Sequence, residues 1–104
     1  MSADARAVVE LASVSDVSKP HSVLHYLYVP DNDAANAIAA ELRQGGFQTE
    51  ERLGADGVSW LVLARHEIVP TEELLTAVRR WMGNLVAPYG GEYDGWEAEM
   101  SRRH

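Results

Sequence analysis

Hydrophobic and polar positions along this chain switch between two spacings, and the switches divide it into elements. Ala5, Val8, Val9 and Ala12 recur at i, i+3, i+4 and i+7, which predicts a short amphipathic helix over residues 3–12. A polar stretch from Ser13 to Pro20 follows; Pro20 stops a helix from crossing it and biases Lys19 toward extended backbone. His21 to Val29 then alternates with period two and is rich in β-branched and aromatic residues, the pattern of a strand. Val23, His25, Leu27 and Val29 point one way, and Leu24, Tyr26 and Tyr28 the other. Both faces are therefore largely apolar, whereas a strand with one wet face carries Ser, Thr or charges on it. Something is expected to cover part of the second face, and the N-terminal helix is the candidate within the chain.

Pro30 ends that strand, and Asp31, Asn32 and Asp33 supply oxygens and negative charge for the start of a helix. Its buried stripe is Ala35, Ile38, Ala39 and Leu42; it runs to about Gln44, and Gly45-Gly46 provides a left-handed stop. Phe47 to Leu53 is a second strand, with Phe47, Thr49 and Leu53 opposed to Gln48, Glu50 and Arg52. Gly54 to Gly57 is a turn, and Val58 to His66 a third strand that closes a hairpin. Trp60 to Ala64 is apolar on both faces, which marks a central strand. Thr71, Glu72 and Glu73 start a helix on which Leu74, Leu75, Val78, Trp81, Met82, Leu85 and Val86 repeat at helical spacing to about Ala87. Pro88 and Gly90-Gly91 end it, and Glu92 to Glu99 is a last short strand. The order, a helix followed by β-α-β-β-α-β, predicts an α+β fold. It is a ferredoxin-like αβ sandwich: a four-stranded antiparallel sheet with both crossover helices on one face and an extra N-terminal helix. A single domain is expected over residues 1–104, with its core at about 5–99.

Composition narrows what such a domain does. With 104 residues and 46% apolar content the chain can bury one sizeable core. It has no Cys, so disulfides, thiolate nucleophiles and Cys-based metal sites are excluded, in keeping with a reducing cytoplasm. No apolar run follows a basic start, so no signal peptide is expected, and no stretch approaches a membrane span. The net charge of −7 repels nucleic acid and anionic membranes and is compatible with a basic protein partner. Arg79-Arg80 and Arg102-Arg103 are short pairs, not a stripe that tracks a phosphate backbone.

Motifs for catalysis are missing. Glu50-Glu51 on a strand and Glu72-Glu73 on a helix do not converge on one substrate atom. His25 and His66 approach each other if their strands are neighbours, but a metal site would need a further ligand, with Glu67 the nearby candidate. Neither a nucleophile elbow nor a phosphate-binding glycine loop is present, so no cofactor, no metal and no catalytic residue are expected. The distinctive segment is Gly90-Gly91-Glu92-Tyr93-Asp94-Gly95-Trp96-Glu97. Gly95 within a strand suggests a bulge, and a bulge at Asp94-Gly95 would bring Tyr93 and Trp96 to the same side. That side is then either aromatic packing or a recognition surface anchored by Trp96.

The Tyr93-Asp94-Gly95-Trp96 block closing an α+β domain resembles the ribonuclease E inhibitor family, the RraB-like regulators of ribonuclease activity found in bacteria. Asp16 to Pro20 before the first strand, Val23 to Tyr28 within it, Gly46-Phe47 and Trp60-Leu61-Val62 agree in order and spacing, so the resemblance spans about residues 5–99. It implies a ferredoxin-like αβ sandwich without catalytic activity that binds ribonuclease E outside its catalytic centre and alters RNA decay. Leu24, Tyr26, Tyr28, Tyr93, Asp94 and Trp96 are the candidate protein-binding residues. Two alternatives stand beside this reading: a homodimer that buries the same apolar face, and a small-substrate enzyme with Tyr26, His25 or His66 lining a pocket.

Overall fold

The two segments that are apolar at nearly every position become the two central strands. A computed structural model describes residues 2–99. In chain order they form α1 (Ala3–Ala12), β1 (His21–Val29), α2 (Asn32–Gln44), β2 (Gln48–Leu53), β3 (Trp60–Ile68), α3 (Glu72–Val86), a 3₁₀ turn at Ala87–Tyr89, and β4 (Glu92–Ala98). The strands make one four-stranded antiparallel sheet in the order β2-β3-β1-β4. Strand β1 pairs with β3 from His21 opposite Ile68 to Val29 opposite Trp60. Its burial alternates strictly: His21, Val23, His25, Leu27 and Val29 are buried, and the residues between them are half-buried.

Helix α2 starts where Asp31 accepts the Ala34 N–H at 2.8 Å, and α3 where Thr71 accepts that of Leu74 at 3.2 Å. The expected α2 stripe of Ala35, Ile38, Ala39 and Leu42 is fully buried. It joins Leu27, Val29, Val62 and Ala64 of the sheet and Met82 and Val86 of α3 in one core. Helices α2 and α3 thus share the face of the sheet that carries Leu27 and Val62.

Three expectations need correction. The hairpin strand begins at Trp60, not Val58, and continues to Ile68. Asp56 accepts the N–H groups of Val58 and Ser59 (both 2.9 Å) and the Ser59 hydroxyl, which holds those residues in the turn. The stripe of α1 is rotated: Asp4 and Leu11 are its buried residues, while Val9 is 58% exposed and Ala12 is exposed. The helix turns an aspartate inward because an arginine waits for it there. Finally, α1 packs against α3, so it lies on the helix side of the sheet. It does not cover Leu24, Tyr26 and Tyr28.

Candidate functional site

The register fixes what stands on the face that the helices leave open. Directly paired residues share a face of an antiparallel sheet. Leu24, Tyr26 and Tyr28 of β1 therefore lie beside Arg65, Leu63 and Leu61 of β3, and these beside Gln48, Glu50 and Arg52 of β2. Along the other flank run Glu97 and Glu92 of β4, opposite Leu24 and Tyr28. The result is an apolar strip two strands wide with polar margins. Tyr26 donates to Glu97, Arg65 donates to Ser22 and to Glu99, and Arg52 donates to Glu50 at 3.3 Å. Leu24 and Leu63, with Gln48, Glu50, Arg52 and Arg65, line a shallow hollow of about 240 Å³. Among the described residues no element lies over this strip.

The aromatic pair of β4 is elsewhere. Trp96 sits opposite His25 and Tyr93 opposite Leu27, so Asp94 and Gly95 together face Tyr26 alone. This is the expected bulge, with Gly95 at φ +104°. It turns both rings to the helix side, and only Asp94 of the block is exposed. The Trp96 indole donates to Asp4 at 3.0 Å. Arg79 grips the same carboxylate through Nε (3.0 Å to Oδ2) and Nη2 (2.8 Å to Oδ1), and Thr76 approaches it at 3.4 Å. These bonds, Arg79's first, hold the Asp4 carboxyl below the usual carboxylate range although the residue is only 3% exposed. The Arg79 guanidinium also lies 5.1 Å from the centre of the Tyr93 ring. One carboxylate thereby fastens α1 to α3 and β4.

The Tyr93 hydroxyl reaches His25 Nδ1 at 2.7 Å, and His25 Nε2 reaches His66 Nε2 at 2.8 Å. With the phenol as donor to Nδ1, His25 carries its proton on Nε2 and donates to His66. Burial above all, and then the proximity of His66, pushes the His25 imidazolium pKa down to about 3. Burial also lowers His66 and raises the Tyr93 phenol. Both histidines are therefore neutral near pH 7.

A profile of the family described as RraB, Regulator of ribonuclease activity B, matches residues 3–98. The chain belongs to the RraB family. No curated protein sequence matches it closely. The matched span takes in every described strand and helix, and within it the Trp96 indole ties β4 to α1 through Asp4. Within that segment Gly91 has its own reason: a Cβ there would stand 2.5 Å from the Tyr28 carbonyl oxygen and 3.0 Å from Val29. The six residues anticipated for protein binding thus divide between two sides. Leu24, Tyr26 and Tyr28 share the open face; Tyr93 and Trp96 are packed beneath the sheet; Asp94 sits at the exposed bulge.

His25 and His66 do come together, as neighbouring strands allow, but Glu67 pairs with Ser22 and so stands on the opposite face from His66. Sequence reasoning did not find Asp4, Arg79 or the exposed stack beside His66. There Phe47 lies 4.5 Å from the His66 ring and 5.8 Å from Trp81, nearly parallel to the indole, and Trp81 and Leu74 remain 42% and 38% exposed. These residues border an apolar cleft of about 390 Å³ with Val78 and Ile68. The signal was available in part, because α3 carries more apolar residues than one buried stripe requires. Among the described residues no helix is long and apolar enough to cross a membrane.

Proposed function

We propose that this protein is a non-catalytic regulator that binds a ribonuclease, with ribonuclease E as its target outside the catalytic centre, and so alters RNA decay. The observation that carries this reading is the uncovered strip of Leu24, Tyr26, Tyr28 and Leu61 on a domain of the RraB family. Each such side chain is half-buried already, so a partner that covers the rest gains a fraction of the roughly 1.5–3 kcal/mol that full burial of an exposed one supplies. Tyr93 and Trp96 then serve binding indirectly, by holding the sheet and α1 in place, and Asp94 stands exposed at the edge of the open face. We further read the strand order as a ferredoxin-like plait, the chain as one domain, and its compartment as the cytoplasm. A second copy is the competing occupant of the strip. It would bring two acidic β4 flanks onto one interface, and like charges oppose every arrangement in which those flanks meet. An enzyme reading has less support. His25 is fully buried, its partners are a tyrosine and a second histidine, and neither provides the carboxylate that would orient a general base.

The experiment is RNA cleavage by purified ribonuclease E with and without the protein, alongside sedimentation of the protein alone. Slowed cleavage with a monomeric regulator is expected. Unchanged cleavage and no retained complex would dismiss the proposal.

A further inference from the structure

We infer that the open face takes an amphipathic helix of the partner whose lysines or arginines line one flank only. The inference rests on the reading of this face as the binding surface and specifies its occupant. The dimensions come first. Strands β1 and β3 are adjacent, and neighbouring strands lie about 4.8 Å apart, so two columns of side chains make a strip roughly 10 Å wide. That is the diameter of a helix with its side chains, roughly 10–12 Å. From Leu24 to Tyr28 the strip runs about 13 Å, the length of a helix of about nine residues. A helix on this side would also repeat what α2 and α3 do on the other.

Charge then sets the flank. On the β2 margin Glu50 and Arg52 are paired with each other. Among the described residues, the ionisable groups on the β4 margin are Glu92, Asp94, Glu97 and Glu99. Arg65 answers Glu99 alone, and the Tyr26 hydroxyl that bonds Glu97 is neutral, so it leaves that charge in place. Among the described residues no cation pairs with Glu92, Asp94 or Glu97. One margin is balanced and the other is a column of carboxylates. Between Leu24 and Tyr28 a helix laid along β1 and β3 meets unpaired acids on one side only; Glu67, a further acid of this face, lies beyond that span, opposite Ser22. The same column repels phosphate, which favours a basic protein segment over RNA as the occupant.

The test uses the isotope-labelled full chain and two synthetic helices as probes. One has a leucine stripe with lysines on one flank; the other carries glutamates in their place. The lysine helix should shift the amide resonances of Leu24, Tyr26, Tyr28, Leu61, Glu92 and Glu97. It should bind at least about tenfold more tightly than the glutamate helix, and lose about tenfold in affinity between 50 and 300 mM salt. The double variant Glu92→Gln/Glu97→Gln should lose most of that salt dependence, while its introduced amides keep an oxygen that can accept from Tyr26. Shifts centred on Phe47, Leu74 and Trp81 instead, or equal binding of the two helices, would overturn the inference. The ribonuclease assignment fails separately. If the lysine helix seats on this face but ribonuclease E does not bind, only that assignment falls. If Leu24→Glu weakens ribonuclease E binding but salt does not, only the helix inference falls; if neither changes it, the open face falls with the helix inference and the ribonuclease assignment stands.

Discussion

Lowering the pH from 7.5 to 5 should cost this protein about 2 kcal/mol of stability through His25 alone. His25 is completely buried between Tyr93 and His66. Its pKa falls from 6.5 in the unfolded chain to about 3 in the folded one. Between those values the unfolded state binds a proton that the folded state refuses, so stability rises with pH and is lost as pH falls. The slope is about 1.4 kcal/mol per pH unit, which over the interval from 6.5 to 5 gives about 2 kcal/mol, or a drop in Tm of roughly 8–16 °C for a domain of this size. His66, lowered by burial, acts in the same direction. Asp4, whose folded pKa is depressed, also loses its contribution as pH falls, but only below about 4, outside this interval. Urea denaturation of the wild type and of His25→Gln at half-unit steps from pH 7.5 to 5 measures the effect. Glutamine can still bond Tyr93 and His66 but does not titrate, so the variant should start lower and fall less steeply. A wild-type stability that is flat over the interval, or identical slopes for both proteins, would refute the buried neutral histidine.

Other substitutions test the Asp4 contacts and the bulge. Asp4→Ala leaves Arg79 and the Trp96 indole without their partner and should lower stability by about 1–3 kcal/mol, read by thermal melting. That loss should come with faster amide exchange throughout α1. Gly91→Ala drives a methyl group into the Tyr28 carbonyl and should destabilise by at least about 1–3 kcal/mol. Gly95→Ala meets open space but keeps a positive φ, so about 1–2 kcal/mol is expected, with Gly95→Asn milder.

The fold was legible where a rule of local geometry had no competitor. The α2 stripe, the Thr71 cap and the two central strands follow from period and capping, and the Asp94-Gly95 bulge from a glycine in a strand between two aromatic residues. The failures share one cause. Val9 and Ala12 fit an amphipathic pattern better than Asp4 does, yet Asp4 is buried, because a bidentate arginine and an indole N–H seventy or more residues away repay its desolvation. Local pattern cannot see such partners. The site was legible by half for the same reason. The two-sided apolar character of β1 pointed to the open face proposed for binding, but which face the helices cover depends on long-range register. Tyr93 and Trp96 therefore looked equivalent to Tyr26 and Tyr28 until the sheet placed them on opposite sides.

The central claim is that the open face binds the ribonuclease. Its most direct test is surface plasmon resonance of the wild-type chain and Leu24→Glu over immobilised ribonuclease E, with the catalytic and non-catalytic regions on separate surfaces. Leu24 is half-buried and faces away from the core, so the variant should keep its circular dichroism spectrum. The wild type is expected to bind the non-catalytic region, and Leu24→Glu to weaken that binding at least about tenfold. Equal affinities for a correctly folded variant, or no binding by the wild type to either region, would contradict it.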